Sequence, residues 1–407
     1  MLLMVEFGTM KTGLLFVNQV VAPHLRMWLE RYTAELGTVE LWTGSRDSYE
    51  SEHVVVRHAL PYDRSSALRR FLTWSVFTMV VMVRLILGRR DKFLLVTTNP
   101  TLMPLAAWFL NCVVGQPYGI YEFDVYPQVA AVMGMFGQNS ILFRIWNTLH
   151  RPALRRASFV VTLRSRMAAE LMSICPEIDP PVTVIPNWVD TEWIQPLQRS
   201  LNNFAANHAL QAKLVVGYAG NMGATHSVET ILKVARFLRE DPIQFLFIGD
   251  GTKKHLVEEA IRSGELPNVQ LLPWFQYEHL AEPLASLDIS VVTIASGYKD
   301  FIIPSKTINA LSAGSAILGI SRPPNDLEKL IYGGQCGANF SPDDVSGIAA
   351  WLREMSQSDD ILDDLKRAAR ALALEQYRET KCAAELTAVV KGSLQSDAHA
   401  VRNPKAP

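Results

Sequence analysis

The sequence predicts an α/β protein built as two α/β domains with parallel sheets. Three observations carry that expectation. A chain of 407 residues is longer than one ordinary core organises and suits two domains of roughly 200 residues. Short β-branched runs alternate with helical patterns, the signature of βαβ units. In the second half the strand candidates end in Gly, Asp, Pro or Ser, the residues of loops at the carboxyl ends of strands, where open α/β sheets bind ligands.

In the first half, strands are expected at Leu14–Asn18, Val39–Thr43, Phe93–Thr97, Tyr118–Tyr121, Phe159–Thr162 and Thr183–Ile185. Helices are expected at Pro23–Leu36, Leu68–Gly88 and Leu102–Val114. The polar stretch Arg199–Gln211 has no periodicity and reads as an inter-domain connector. A second series of strands follows at Lys213–Tyr218, Phe245–Ile248, Val269–Leu271, Ile289–Thr293 and Ala316–Ile320. The expected division is 1–197, 198–370, and a C-terminal helix and tail over 371–407 that crosses back to the first domain.

Composition excludes several classes. Lys and Arg number 39 against 40 Asp and Glu, so the chain lacks the basic excess of a nucleic-acid binder. Four scattered cysteines form no CxxC pair, which argues against a disulfide framework or zinc site and for a reducing compartment. No HExxH, DxD or His/Cys cluster suggests a metal. The opening Met1–Phe7 has no basic flank and only a short apolar run, unlike a signal peptide, and Met4 or Met10 could be the start.

The segment Phe71–Gly88 is long and apolar, but Arg84 lies inside it and Arg64, Arg69, Arg70, Arg89, Arg90 and Lys92 surround it. A charge at a bilayer centre is costly, so a helix lying at an anionic membrane surface is expected in preference to a span. A helix buried against its own sheet is the other reading.

Pro304-Ser305-Lys306 reads as a helix start, with Ser305 as N-cap and Asn309 one turn beyond Lys306. Such a start attracts phosphate, and Lys306 adds a full charge there. Gly314 ends the helix before the apolar run Ala316–Ile320. Gly217-Tyr218-Ala219-Gly220-Asn221-Met222-Gly223 follows a strand and leads to His226, and its glycines allow close backbone approach to a phosphate. Gly249-Asp250-Gly251 is a second glycine turn, in which Asp250 itself reads as a turn residue. In the first half, Glu122, Asp124 and Tyr126 follow a strand, where a carboxylate can act as base or accept a hydroxyl hydrogen bond. Trp274 follows a strand of the second half and could stack on a nucleobase, or belong to the core.

Taken in order, Tyr121–Pro127, Val184–Asp190, Gly217–His226, Gly249–Gly251, Ile303–Lys306 and Gln335–Gly337 resemble family 4 retaining glycosyltransferases, in the bacterial subgroup that builds exopolysaccharides, O-antigens and colanic acid. The resemblance implies a GT-B architecture of two facing Rossmann-like domains. It implies transfer from a nucleoside-diphosphate sugar, uridine-linked by preference, with retention and without an obligatory metal or other cofactor. Lys306 and His226 would then serve the departing diphosphate, and Gly220, Asn221, Gly223, Gly249, Ser305, Asn309 and Trp274 would bind the donor. Asp124, with Glu122 and Tyr126, would face the acceptor, a lipid-linked sugar or glycan at the inner membrane, with the protein cytoplasmic and peripheral.

The sequence departs from the family at its paired glutamates, which fall on Phe301 and Asn309, and Asn18–His24 replaces the glycine-rich first loop. These losses keep open a catalytically weak nucleotide-binding partner protein, and a nucleotide-sugar epimerase shares the architecture. No opening GxGxxG supports a dehydrogenase.

Overall fold

A computed structural model describes residues 13–45, 52–63, 67–88, 91–132, 134–179, 181–210, 213–223, 226–294 and 303–402. The chain divides into two compact units, residues 1–186 with 380–407, and residues 187–379.

The first unit holds a parallel sheet of β1 (Gly13–Val17), β2 (Thr38–Thr43), β3 (Val54–His58), β4 (Lys92–Thr97), β5 (Tyr118–Glu122), β6 (Val160–Thr162) and β7 (Thr183–Val184), in the order 3-2-1-4-5-6-7. β1 and β5 are buried along their whole length, as parallel strands covered on both faces must be. β3 escapes the sequence reading because it is an edge strand ending in Arg57 and His58, mostly exposed.

The second unit repeats the plan with β8 (Leu214–Ala219), β9 (Ile243–Ile248), β10 (Val269–Leu272), β11 (Ile289–Thr293), β12 (Ala316–Ile320) and β13 (Gly337–Phe340), in the order 10-9-8-11-12-13. β13 was not expected, since Gly-Ala-Asn-Phe has little strand preference and is held by its register with β12. Each sheet reverses its strand order once, between β1 and β4 and between β8 and β11. Ligands of open α/β sheets bind at the carboxyl ends of strands beside such a reversal.

The division falls at 187, earlier than the expected 198, because the chain after Pro186 packs on the second unit. Val189 N–H donates to the Tyr377 carbonyl at 3.0 Å, Glu379 N–H donates to that of Val189 at 3.1 Å, and Ile194 lies in the second core. The expected connector is likewise part of that unit. Asn202 accepts from Ala205 N–H at 3.0 Å to cap the short helix Asn203–Asn207, which buries Phe204. The C-terminal helix Glu379–Arg402 returns to the first unit, where Thr387 Oγ1 accepts from the buried Trp28 indole at 2.9 Å.

The helix Ala67–Leu87 is long and apolar enough to cross a membrane, and only 22% of its apolar stretch is buried, which removes the buried-helix reading. Trp74, Phe77, Thr78 and Val81 form its buried face. Leu72, Val76, Met79, Val80, Val83 and Leu87 form an exposed stripe at helical spacing. Arg64, Arg89 and Arg90 lie outside the described residues.

Candidate active site

In the second unit the expected donor residues converge where the strand order reverses. β8 runs into Gly220 and β9 into Gly249, and the two turns interlock. Gly220 N–H donates to the Ile248 carbonyl and Met222 N–H to that of Asp250, at 2.8 and 2.7 Å. A methyl group on Gly249 would lie 2.1 Å from the Gly220 carbonyl oxygen, and one on Gly251 would lie 2.6 Å from Asn221 Oδ1. Gly249 and Gly251 also hold φ of 142°, a region that disfavours any side chain. The interlocking therefore demands glycine at both places.

Lys306 opens the helix Lys306–Ser312, which follows β11. Ser305 precedes it but does not cap it. Its backbone is already helical (φ −56°, ψ −28°), and Thr307 and Ile308 N–H donate to the Pro304 and Ser305 carbonyls. A capping hydroxyl needs an extended backbone, so Ser305 does not serve as the expected N-cap. Lys306 is half-buried as a whole, but its Nζ is shut off from solvent and has no hydrogen-bond partner among the described residues. It sits 3.4 Å from the centroid of the Tyr218 ring, and its stem borders Gly220. Burial holds its pKa well below the ordinary lysine value. Asn309 is half-buried one turn further on, and Phe301 lies outside the described residues.

His226 is fixed by β11, with Nδ1 3.1 Å from Thr293 Oγ1. Burial first, then the charges of Lys306 and Lys253, lower its pKa to about 4. It is thus a neutral hydrogen-bonding imidazole near pH 7. Lys253 donates to the His226 carbonyl at 2.7 Å and pairs with Glu229 at 2.9 Å. Trp274 stands after another strand. It follows β10, the edge strand, with β9 between it and β8, and its side chain is 59% exposed.

In the first unit, Glu122 ends β5 fully buried, with Oε1 2.9 Å from His150 Nε2 of the helix Ile141–Arg156. It is not exposed as expected: Oε1 is taken inside the fold, and Oε2 is buried with no hydrogen-bond partner among the described residues. Asp124 does reach solvent. Thr98 Oγ1 accepts from the N–H groups of Phe123 and Asp124, at 3.0 and 3.2 Å, which fixes the loop. Crowding around Asp124, followed by the nearby Glu122 charge, raises its pKa above the usual carboxylate value. Tyr126 is also buried, between the rings of Trp74 and Trp146, with centroids at 6.4 and 5.8 Å. Among the described residues no group of three or more His, Cys, Asp or Glu is placed to hold a metal, and the four cysteines are free.

Sequence reasoning passed over Tyr218, Thr293 and His150. Tyr218 lay within a quoted motif, but a strand aromatic signals core. Thr293 and His150 carry no local pattern at all.

Residues 213–358, most of the second unit, match the family model described as Glycosyl transferases group 1. Over 302 residues the chain is 25% identical to a probable glycosyltransferase, WbjE, of Pseudomonas aeruginosa, covering 72% of each protein. Over 144 residues it is 27% identical to a putative colanic acid biosynthesis glycosyl transferase, WcaI, of Escherichia coli, covering 35% of each. Among solved structures, Anabaena Alr3699/HepE in complex with UDP superposes with a TM-score of 0.70 at 12% identity, over 93% of this chain and 100% of that one. The fold is that of the GT-B glycosyltransferases. Residues 213–358 match that glycosyl transferase model, and the chain is an enzyme of the glycosyltransferase class.

Proposed function

We propose that the protein transfers a sugar from a uridine-diphosphate sugar to a lipid-linked or glycan acceptor, with retention, in cell-surface polysaccharide synthesis. The observation that carries this reading is the unpartnered Lys306 ammonium beside two interlocked glycine turns. A dianionic diphosphate supplies the partner that the cation lacks, and glycine backbones admit its oxygens closely. As the bond between sugar and diphosphate breaks, charge grows on the leaving oxygens, and Lys306 stabilises it without a metal. Neutral His226 donates or accepts a hydrogen bond without adding charge. Asp124, with its raised pKa, accepts the hydrogen bond of the acceptor hydroxyl. The relatives named for glycosyl transfer and colanic acid synthesis, and the UDP bound to the Anabaena protein, support the donor and the pathway class.

Thermal unfolding with UDP, GDP, dTDP and ADP tests the donor site. One of them at 100 times its Kd should add about 2.7 kcal/mol to the wild type. Lys306→Ala should lose most of that gain and all transfer. If no nucleotide stabilises the wild type, the reading fails and a partner protein without turnover takes its place.

The exposed stripe of the Ala67–Leu87 helix, with Arg69, Arg70 and Arg84 and no acidic residue in the helix, supports a peripheral site at the cytoplasmic face of an inner membrane. Flotation with phosphatidylglycerol vesicles should recover the wild type and not the triple variant Val76→Ser, Met79→Ser, Val83→Ser. Equal recovery of the two would refute the membrane contact.

A further inference from the structure

We propose that Tyr218 is the positioning residue of the donor site, holding the Lys306 ammonium charged and in place for an incoming diphosphate. The inference rests on the donor reading above. Tyr218 lies next to the end of β8, almost fully buried, and does two things at once. Its ring face takes the Lys306 ammonium at 3.4 Å from the centroid. Its hydroxyl donates to the Asn221 carbonyl at 2.7 Å, inside the turn Gly220–Gly223. Lysine and glycine turn, which are far apart in the second unit's sequence, are therefore tied to one side chain.

The choice of a ring matters chemically. A carboxylate partner would neutralise the ammonium and occupy its N–H donors, and a phosphate would have to displace it. An aromatic face attracts the cation through its quadrupole and uses no conventional acceptor. Lys306 accordingly has no hydrogen-bond partner among the described residues, and its three N–H donors are unspent. Phosphate oxygens can take them while the ring stays in contact on the other side. Without the ring, a long flexible side chain would have to be ordered at the moment of binding, at an entropic cost. The neighbouring His226 ring packs edge-on against Tyr218, with centroids 6.0 Å apart, and so closes one flank of the cradle.

The test keeps the shape of the ring and changes its charge distribution. Phenylalanine, then di-, tetra- and pentafluorophenylalanine, are placed at position 218 of the full-length protein. Titration calorimetry then follows UDP, GDP and dTDP. Tyr218→Phe should stay within about threefold of wild type, since the face is kept. Affinity should then fall stepwise with fluorination, to about tenfold below Tyr218→Phe in the pentafluoro protein. A merely structural ring would not respond to fluorine in this graded way. A flat series, in proteins whose wild type binds a nucleotide, overturns the role of Tyr218 and leaves the donor site standing. Absence of binding by the wild type to all three nucleotides overturns the donor reading, and this inference with it.

Discussion

Lys306 carries a cost in stability, and Lys306→Met should expose it. The ammonium is shut off from solvent with no hydrogen bond. Leaving a charged group in that state costs upwards of about 1–3 kcal/mol. The Tyr218 ring, 3.4 Å away, returns about 0.5–2 kcal/mol. The balance is a deficit of about 1 kcal/mol. Methionine fills a similar stem volume without the charge and removes that deficit. In a unit of the size of 187–379, the variant should melt about 2–4 °C above wild type by calorimetry, while losing transfer. The pH dependence has a definite sign. The folded pKa of Lys306 is lowered below 10.5, so between the lowered value and 10.5 the unfolded chain binds a proton that the folded chain does not. Wild-type stability therefore gains from this group as pH rises through that window. The advantage of Lys306→Met should be largest at low pH and shrink as pH climbs. A variant that melts below wild type, or a gap that ignores pH, would refute the reasoning.

Three further outcomes are expected. Gly249→Ala places a methyl 2.1 Å from the Gly220 carbonyl at φ 142°, so it should destabilise the second unit by about 2–5 kcal/mol and abolish nucleotide binding, read by thermal unfolding with and without UDP. His226 has a folded pKa of about 4 against 6.5 unfolded, so the unfolded chain holds the extra proton between those values. Stability should therefore fall as pH drops from 6.5 toward 4, more steeply in wild type than in His226→Gln, and nucleotide affinity should show no His226 inflection near pH 6.5. His150→Ala strips the buried Glu122 carboxylate of its partner and should cost about 2–4 kcal/mol in urea unfolding, whereas His150→Gln should recover part of the loss.

By itself the sequence determined the two-domain α/β plan and most of its strands, because a strand buried on both faces must be an apolar run. Leu14–Val17, Phe93–Val96, Phe245–Ile248 and Ala316–Ile320 all obey that rule. It also marked Lys306 and the glycine turns, since proline, glycine and a lone cation leave local traces. Only the tertiary structure decided what those residues touch. Ser305 looked like a cap until the backbone proved helical, and Trp274 proved to follow the edge strand β10. Glu122 and Tyr126 looked available but are enclosed by His150, Trp74 and Trp146. Tyr218 looked like core and is core, but its ring also faces Lys306. Burial and partner choice depend on residues far apart in sequence, 359 positions for Trp28 and Thr387, brought together by the fold, and periodicity along the chain holds no record of that.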